Sequence, residues 1–126
     1  MVRRVLVADD NPDMRKMICR VFQPAKSFDL CAEAANGEDA VALARLCSPH
    51  LVILDLSMSV MSGIEAARII HKEMPDVPIT LYTLHADAIP ASEAAIYGIR
   101  RVVPKDDLDN LVNHAQAMFR GANTSA

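Results

Sequence analysis

The sequence predicts an α/β domain with a parallel sheet and helices on both of its faces. Three observations predict it. Short apolar runs alternate strictly with amphipathic stretches, giving five strand–helix units in 126 residues. The runs Val5 to Ala8 and Leu51 to Leu54 are continuously apolar, as strands buried on both faces are. The length suffices for one domain with a real core and is too short for two.

The first strand, Val5 to Ala8, ends in Asp9, Asp10, Asn11 and Pro12, where Asn11 is a good helix cap and Pro12 a good first helical residue. Met14, Met17, Ile18, Val21 and Phe22 then form one stripe of a helix that Pro24 stops. Phe28 to Ala35 reads as the second strand, Asn36 and Gly37 as a turn, and Glu38 to Cys47 as a helix ending near Ser48 and Pro49. The third strand, Leu51 to Leu54, ends at Asp55, and Gly63 to Met74 is helical, with Ile64, Ala67, Ile70 and Met74 on one side. Ile79 to Tyr82 is the fourth strand, ending at Thr83. A short helix interrupted by proline follows, from about Pro90 to Tyr97, closed by Gly98. Ile99 to Val103 is the fifth strand. Asp106 is expected to cap the last helix, with Asp109 in capping-box position and Leu108, Leu111, Val112, Ala115, Met118 and Phe119 as its stripe. Residues 1–120 read as one domain and 121–126 as a flexible polar tail.

The net charge of -3, with scattered Lys and Arg, lacks the basic footprint of a nucleic-acid or anionic-membrane binder. No apolar stretch approaches the ~20 residues of a membrane helix, and no signal peptide is expected. Cys19, Cys31 and Cys47 are odd in number and lack CxxC spacing, which argues against disulfides or a zinc site and fits a reducing cytoplasm. His50, His71, His85 and His114 show no ligand spacing. Tyr82 reads as core, and Tyr97 as exposed near an output face.

In an open parallel sheet, ligands gather at the carboxyl ends of the strands. The residues standing there are Asp9 and Asp10 after the first strand, Asp55 after the third, Thr83 at the end of the fourth and Lys105 after the fifth. The second strand ends in Ala34 and Ala35, which carry no chemistry. In a flavodoxin-like order, 2-1-3-4-5, that silent strand lies at an edge and the other four converge. Taken singly, Asp9 and Asp10 read as an electrostatic device at a helix start, Thr83 as a β-former and Lys105 as a surface lysine. Together they describe a site. Carboxylates about 5 Å apart repel by about 3 kcal/mol per pair at an effective dielectric of about 20. A hard cation such as Mg²⁺ removes that penalty. A lysine and a hydroxyl across from the carboxylates suit a phosphoryl group, and a carboxylate can be its nucleophile.

From about Arg4 to Phe119 the chain resembles the receiver domains of bacterial two-component response regulators. The matching residues are Asp9 and Asp10; Asp55-Leu56-Ser57-Met58 with Gly63 eight residues after the Asp; Thr83; and Lys105. Each piece alone is weak, and the five in order are specific. The resemblance implies a flavodoxin-like (βα)5 fold with strand order 2-1-3-4-5. It implies that Asp55 is the phosphoacceptor, that Asp10, Asp55 and the Ser57 carbonyl ligate Mg²⁺, and that Asp9 acts mainly through water. Lys105 would contact the phosphoryl group, and Thr83 would be the switch hydroxyl. His85 stands where the family tunes phosphoryl lifetime. Pro104-Lys105-Asp106 resembles receivers that precede helix-turn-helix output domains. Three departures stand out. Ser59 replaces the usual Pro, which implies a looser loop. Val102 replaces the usual aromatic, which puts the aromatic half of the switch in doubt. Pro90, early in the fourth helix, is unusual and implies a shortened helix.

The expected function is a phosphorylation-dependent signalling switch, not an enzyme turning over a substrate, and one that works in the cytoplasm. A histidine kinase or phosphotransfer protein would supply the phosphoryl group. The signal would leave through the last two helices and the fifth strand, a face that also admits a homodimer. The chain is expected either to stand alone or to be the N-terminal part of a transcriptional regulator, without binding DNA or a membrane itself. Two rivals remain. One is a receiver-fold interaction module acting without phosphorylation. The other is a small aspartate-nucleophile phosphatase, which would want an Asp as general acid where Ser57 stands.

Overall fold

Five strands in the computed structural model, which describes residues 2–84 and 86–124, form one parallel sheet. They are β1 (Arg3–Ala8), β2 (Phe28–Ala34), β3 (Leu51–Asp55), β4 (Ile79–Thr83) and β5 (Ile99–Pro104), in the spatial order β2-β1-β3-β4-β5. The helices are α1 (Pro12–Phe22), α2 (Gly37–Cys47), α3 (Gly63–Glu73), α4 (Ala91–Ile96) and α5 (Leu111–Thr124). This is the flavodoxin-like architecture expected.

Side chains alternate along a strand, so each strand feeds two cores. Val5 and Val7 of β1, Leu51 and Ile53 of β3, Tyr82 of β4 and Val103 of β5 pack with Ile18 and Phe22 of α1 and Leu111 and Ala115 of α5. Leu6 and Ala8, Val52 and Leu54, Ile79 and Leu81 pack on the opposite face with residues of α2, α3 and α4. Every residue of β3 and β4 is buried, which is why Leu51 to Leu54 runs apolar without alternating.

Cap chemistry explains most helix starts. The Asn11 side chain accepts the backbone N–H of Asp13 at 2.9 Å, as expected. Asn36, read as a turn residue, instead caps α2 by accepting the N–H of Asp39 at 2.8 Å. The α5 start differs more. A 3₁₀ turn, Leu108–Asn110, precedes the helix. Asp107, not Asp106, stands at its head, where its side chain accepts from Asn110 Nδ2 at 2.7 Å and its carbonyl from the Asn110 N–H at 3.2 Å. That local pairing displaces the expected capping box. Helix α4 is short, as Pro90 implied, and Pro90 at its start makes no side-chain cap bond. Helix α5 runs to Thr124, into the segment read as a tail.

The three cysteines are free, and the Cys47 thiol points at the Cys31 carbonyl 3.9 Å away. His50 plays a structural part: its Nδ1 accepts the Arg4 N–H at 2.9 Å. Tyr97 is half-buried against the α2, α3 and α4 core and not exposed. His85 lies outside the described residues.

Candidate functional site

Register and strand parity build the site. Ala8 pairs with Leu54, so Asp9 and Asp55 leave adjacent strands side by side. Asp55 pairs with Tyr82 and Tyr82 with Val103. Asp9 continues the Val5, Val7 row, Asp55 the Leu51, Ile53 row, and Lys105 follows Val103 by two. These three polar groups therefore project to the α1 and α5 side of the sheet edge.

Asp9 is fully buried, Asp55 is 3% exposed and Asp10 faces solvent. One carboxylate oxygen from each lies within 4.8 Å of the others. Lys105 Nζ stands 3.3 Å from Asp55 Oδ1 and 3.6 Å from Asp9 Oδ2. Burial, and then the negative charge of Asp9, push the Asp55 carboxyl up to about 6; Lys105 and the Ser57 backbone N–H, which Asp55 accepts, pull against that rise. Three carboxylates against one ammonium leave an excess of two negative charges in a cluster exposed on the Asp10 side. Hard oxygen donors, with room for water on one side, fit a divalent cation of the Mg²⁺ type.

The scaffold around these groups is tight. The Leu56 carbonyl accepts the Gly63 N–H at 2.9 Å, and a Cβ on Gly63 would meet the Asp55 carbonyl oxygen at 2.1 Å. Glycine there lets the start of α3 approach the end of β3. Between them, Met61 N–H bonds the Ser59 carbonyl at 2.7 Å and bends the chain at Val60, whose φ is +68°. On the other side, the Lys105 N–H bonds the Thr83 carbonyl at 2.9 Å, fixing the β5 end against the β4 end. Thr83 is buried at that junction.

The structure therefore brings together Asp9, Asp10, Asp55 and Lys105, with Thr83 adjoining them through the backbone and Ser57 reaching Asp55 through its N–H. Two residues were not foreseen. The Tyr82 hydroxyl donates to Asp9 Oδ2, although its ring is core as read. Arg15 donates from its guanidinium to the Asp9 carbonyl at 2.6 Å and faces Glu33 at 3.5 Å. The pairing of Asp55 with Tyr82 is the signal that locates the first, and it becomes visible only once the register is known.

The family model "Response regulator receiver domain" matches residues 5–116. Among curated proteins, the protein-glutamate methylesterase/protein-glutamine glutaminase of Pyrococcus abyssi is 32% identical over 111 residues, 87% of this chain and 30% of that protein. The transcriptional regulatory protein LnrK of Bacillus subtilis is 26% identical over 119 residues, 94% of this chain and 54% of that protein. The chain thus spans between about a third and about half of these relatives. Among solved structures, a two-component response regulator of the LuxR family from Aurantimonas sp. SI85-9A1 superposes with a TM-score of 0.86 at 29% identity, covering 96% of this chain and 87% of that one. The response regulator domain of Thermotoga maritima CheB has a TM-score of 0.82 at 23% identity, covering 97% and 96%, a likeness of fold.

Proposed function

Because this chain belongs to the response regulator receiver domain family, we propose that it takes up a phosphoryl group on Asp55 and relays that event through α4, β5 and α5. The observation that carries this reading is one nucleophilic carboxylate, Asp55, held with two others within 4.8 Å and 3.3 Å from a lysine ammonium.

The donor is phosphohistidine on a histidine kinase or phosphotransfer protein. Asp55 Oδ attacks phosphorus in line; the P–O bond forms as the P–N bond breaks, and the imidazole leaves. Lys105 offsets charge on the transferred oxygens. Asp10, Asp55 and the Ser57 carbonyl would hold Mg²⁺, with Asp9 acting mainly through water. When bound, that ion neutralises the carboxylates and the developing phosphoryl charge. Thr83 turns its hydroxyl toward the new phosphate. Because the Lys105 N–H is tied to the Thr83 carbonyl, that movement is felt at the end of β5. Val102, half-buried against the core, stands where an aromatic is usual, so the signal rests on Thr83 and the backbone. The same face serves a homodimer.

The domain acts where kinases present phosphohistidine, in the cytoplasm; no helix among the described residues is long and apolar enough to cross a membrane. Ser57 in place of a second acid disfavours steady hydrolysis of phosphate esters. Exposure to acetyl phosphate with Mg²⁺, followed by intact mass measurement, should give one phosphoryl adduct per chain that Asp55→Asn abolishes. An equal adduct on the variant would refute the assignment, and continuous turnover of phosphate esters would favour a phosphatase.

A further inference from the structure

The geometry points to Tyr82 as a positioning residue for Asp9, holding that carboxylate back as a charge behind the bound cation and leaving the direct places to Asp10 and Asp55. The inference rests on the reading of the acidic cluster as a cation site.

Both oxygens of Asp9 already have donors. Oδ1 accepts the Asn11 N–H at 2.8 Å, and Oδ2 accepts the Tyr82 hydroxyl and faces Lys105 Nζ at 3.6 Å. Tyr82 cannot easily turn away. Its ring is fully buried between α1 and α5, and Lys105 Nζ sits 5.2 Å from the ring centroid. Asp10, in contrast, faces solvent. A hydrogen bond donated to a carboxylate oxygen occupies a lone pair and withdraws charge that a cation would otherwise use. An apolar side chain at this β4 position would complete the core equally well and leave Asp9 Oδ2 with Lys105 alone.

This assignment makes two effects of removing the hydroxyl move in opposite directions. Tyr82→Phe keeps the ring and its packing but deprives a buried carboxylate of a donor, so the metal-free protein loses stability. The same change frees Asp9, so divalent cations bind more tightly, by about fivefold to tenfold. A tyrosine with a merely structural role, once cut, would lower both quantities.

The test titrates Mn²⁺ into wild type, Tyr82→Phe and Asp55→Asn, following free Mn²⁺ by electron paramagnetic resonance, with Mg²⁺ as competitor and urea unfolding measured without metal. Binding that is tighter in Tyr82→Phe, together with lower stability, is the expected result. Equal or weaker binding in Tyr82→Phe, while wild type binds in an Asp55-dependent way, overturns the role of Tyr82 and spares the site. Absence of Asp55-dependent binding in wild type overturns the site itself, and this inference with it. A second measurement leaves Tyr82 intact. The chain has two tyrosines and no tryptophan, so in Tyr97→Phe the tyrosine absorbance belongs to Tyr82 alone. Mg²⁺ should perturb that band along the same saturation curve as binding; a silent band during binding overturns the inference.

Discussion

Replacing Asp55 by Asn should stabilise the metal-free protein near neutral pH. The Asp55 carboxyl is pushed up from its ordinary 3.8 to about 6, first by burial and then by Asp9. The folded state therefore disfavours the ionised form. A carboxyl raised in this way supports folding fully below pH 3.8, and that support is lost as the pH climbs through about 6. That rise corresponds to about 3 kcal/mol, and the side chain is too buried for much solvent screening. Asparagine keeps the shape and the bond from the Ser57 N–H without the charge, so Asp55→Asn should gain about 2 to 3 kcal/mol at about pH 7.5. In a domain of this size that is a rise of roughly 10 °C in melting temperature. Urea unfolding in a chelating buffer, at steps from about pH 4 to about pH 7.5, should show the gain opening across that window. Saturating Mg²⁺ should then close it by stabilising wild type alone. A gain that is constant with pH, or an Asn variant that is less stable at neutral pH, would show that the acidic cluster carries no stored repulsion.

Three further outcomes follow from the same geometry. Lys105→Ala removes the ammonium 3.3 Å from Asp55 and 3.6 Å from Asp9. The metal-free protein should lose about 2 to 3 kcal/mol in urea unfolding near neutral pH, with part of the loss recovered on adding Mg²⁺; an unchanged midpoint would mean the ammonium does not pair there. Gly63→Ala drives a Cβ to 2.1 Å from the Asp55 carbonyl oxygen, backbone against backbone, and should destabilise by about 3 kcal/mol or more and weaken cation binding; a variant melting like wild type would show that the close approach is not rigid. Val60 is a β-branched residue at φ +68° with its side chain 74% exposed, so Val60→Gly should raise stability by about 1 kcal/mol, and a loss of stability would contradict the strained turn.

The legible part of the fold was the part governed by local chemistry. Continuous apolar runs marked β1 and β3 because both of their faces are covered, and Asn11 and Pro12 marked the start of α1 because they act on their own helix. The α5 start was misread for a local reason. Asp106 with Asp109 and Asp107 with Asn110 offer the same three-residue spacing, and the structure uses the second pair. Strain at Val60 was invisible because nothing in the residue type signals a left-handed bend; the bend comes from joining β3 to an α3 whose first residue is pressed against Asp55.

Asp9, Asp10, Asp55 and Lys105 were legible as a set because strand ends announce themselves and a parallel sheet collects its strand ends on one edge. The groups that hydrogen-bond Asp9 from behind were not. Tyr82 ends an apolar run, as a core residue does, and its ring behaves as one; only the pairing of Asp55 with Tyr82, on the same side of the sheet as Asp9, turns its hydroxyl into part of the site. Arg15 lies six residues from Asp9, on a different element, and reaches its carbonyl because α1 packs back over β1. Such residues are fixed by cross-strand register and helix placement, quantities that belong to the whole fold. A cluster of carboxylates and a lysine can thus be read from a handful of strand-end residues, while the hydrogen bonds that hold it come from neighbours that composition and periodicity assign to the core.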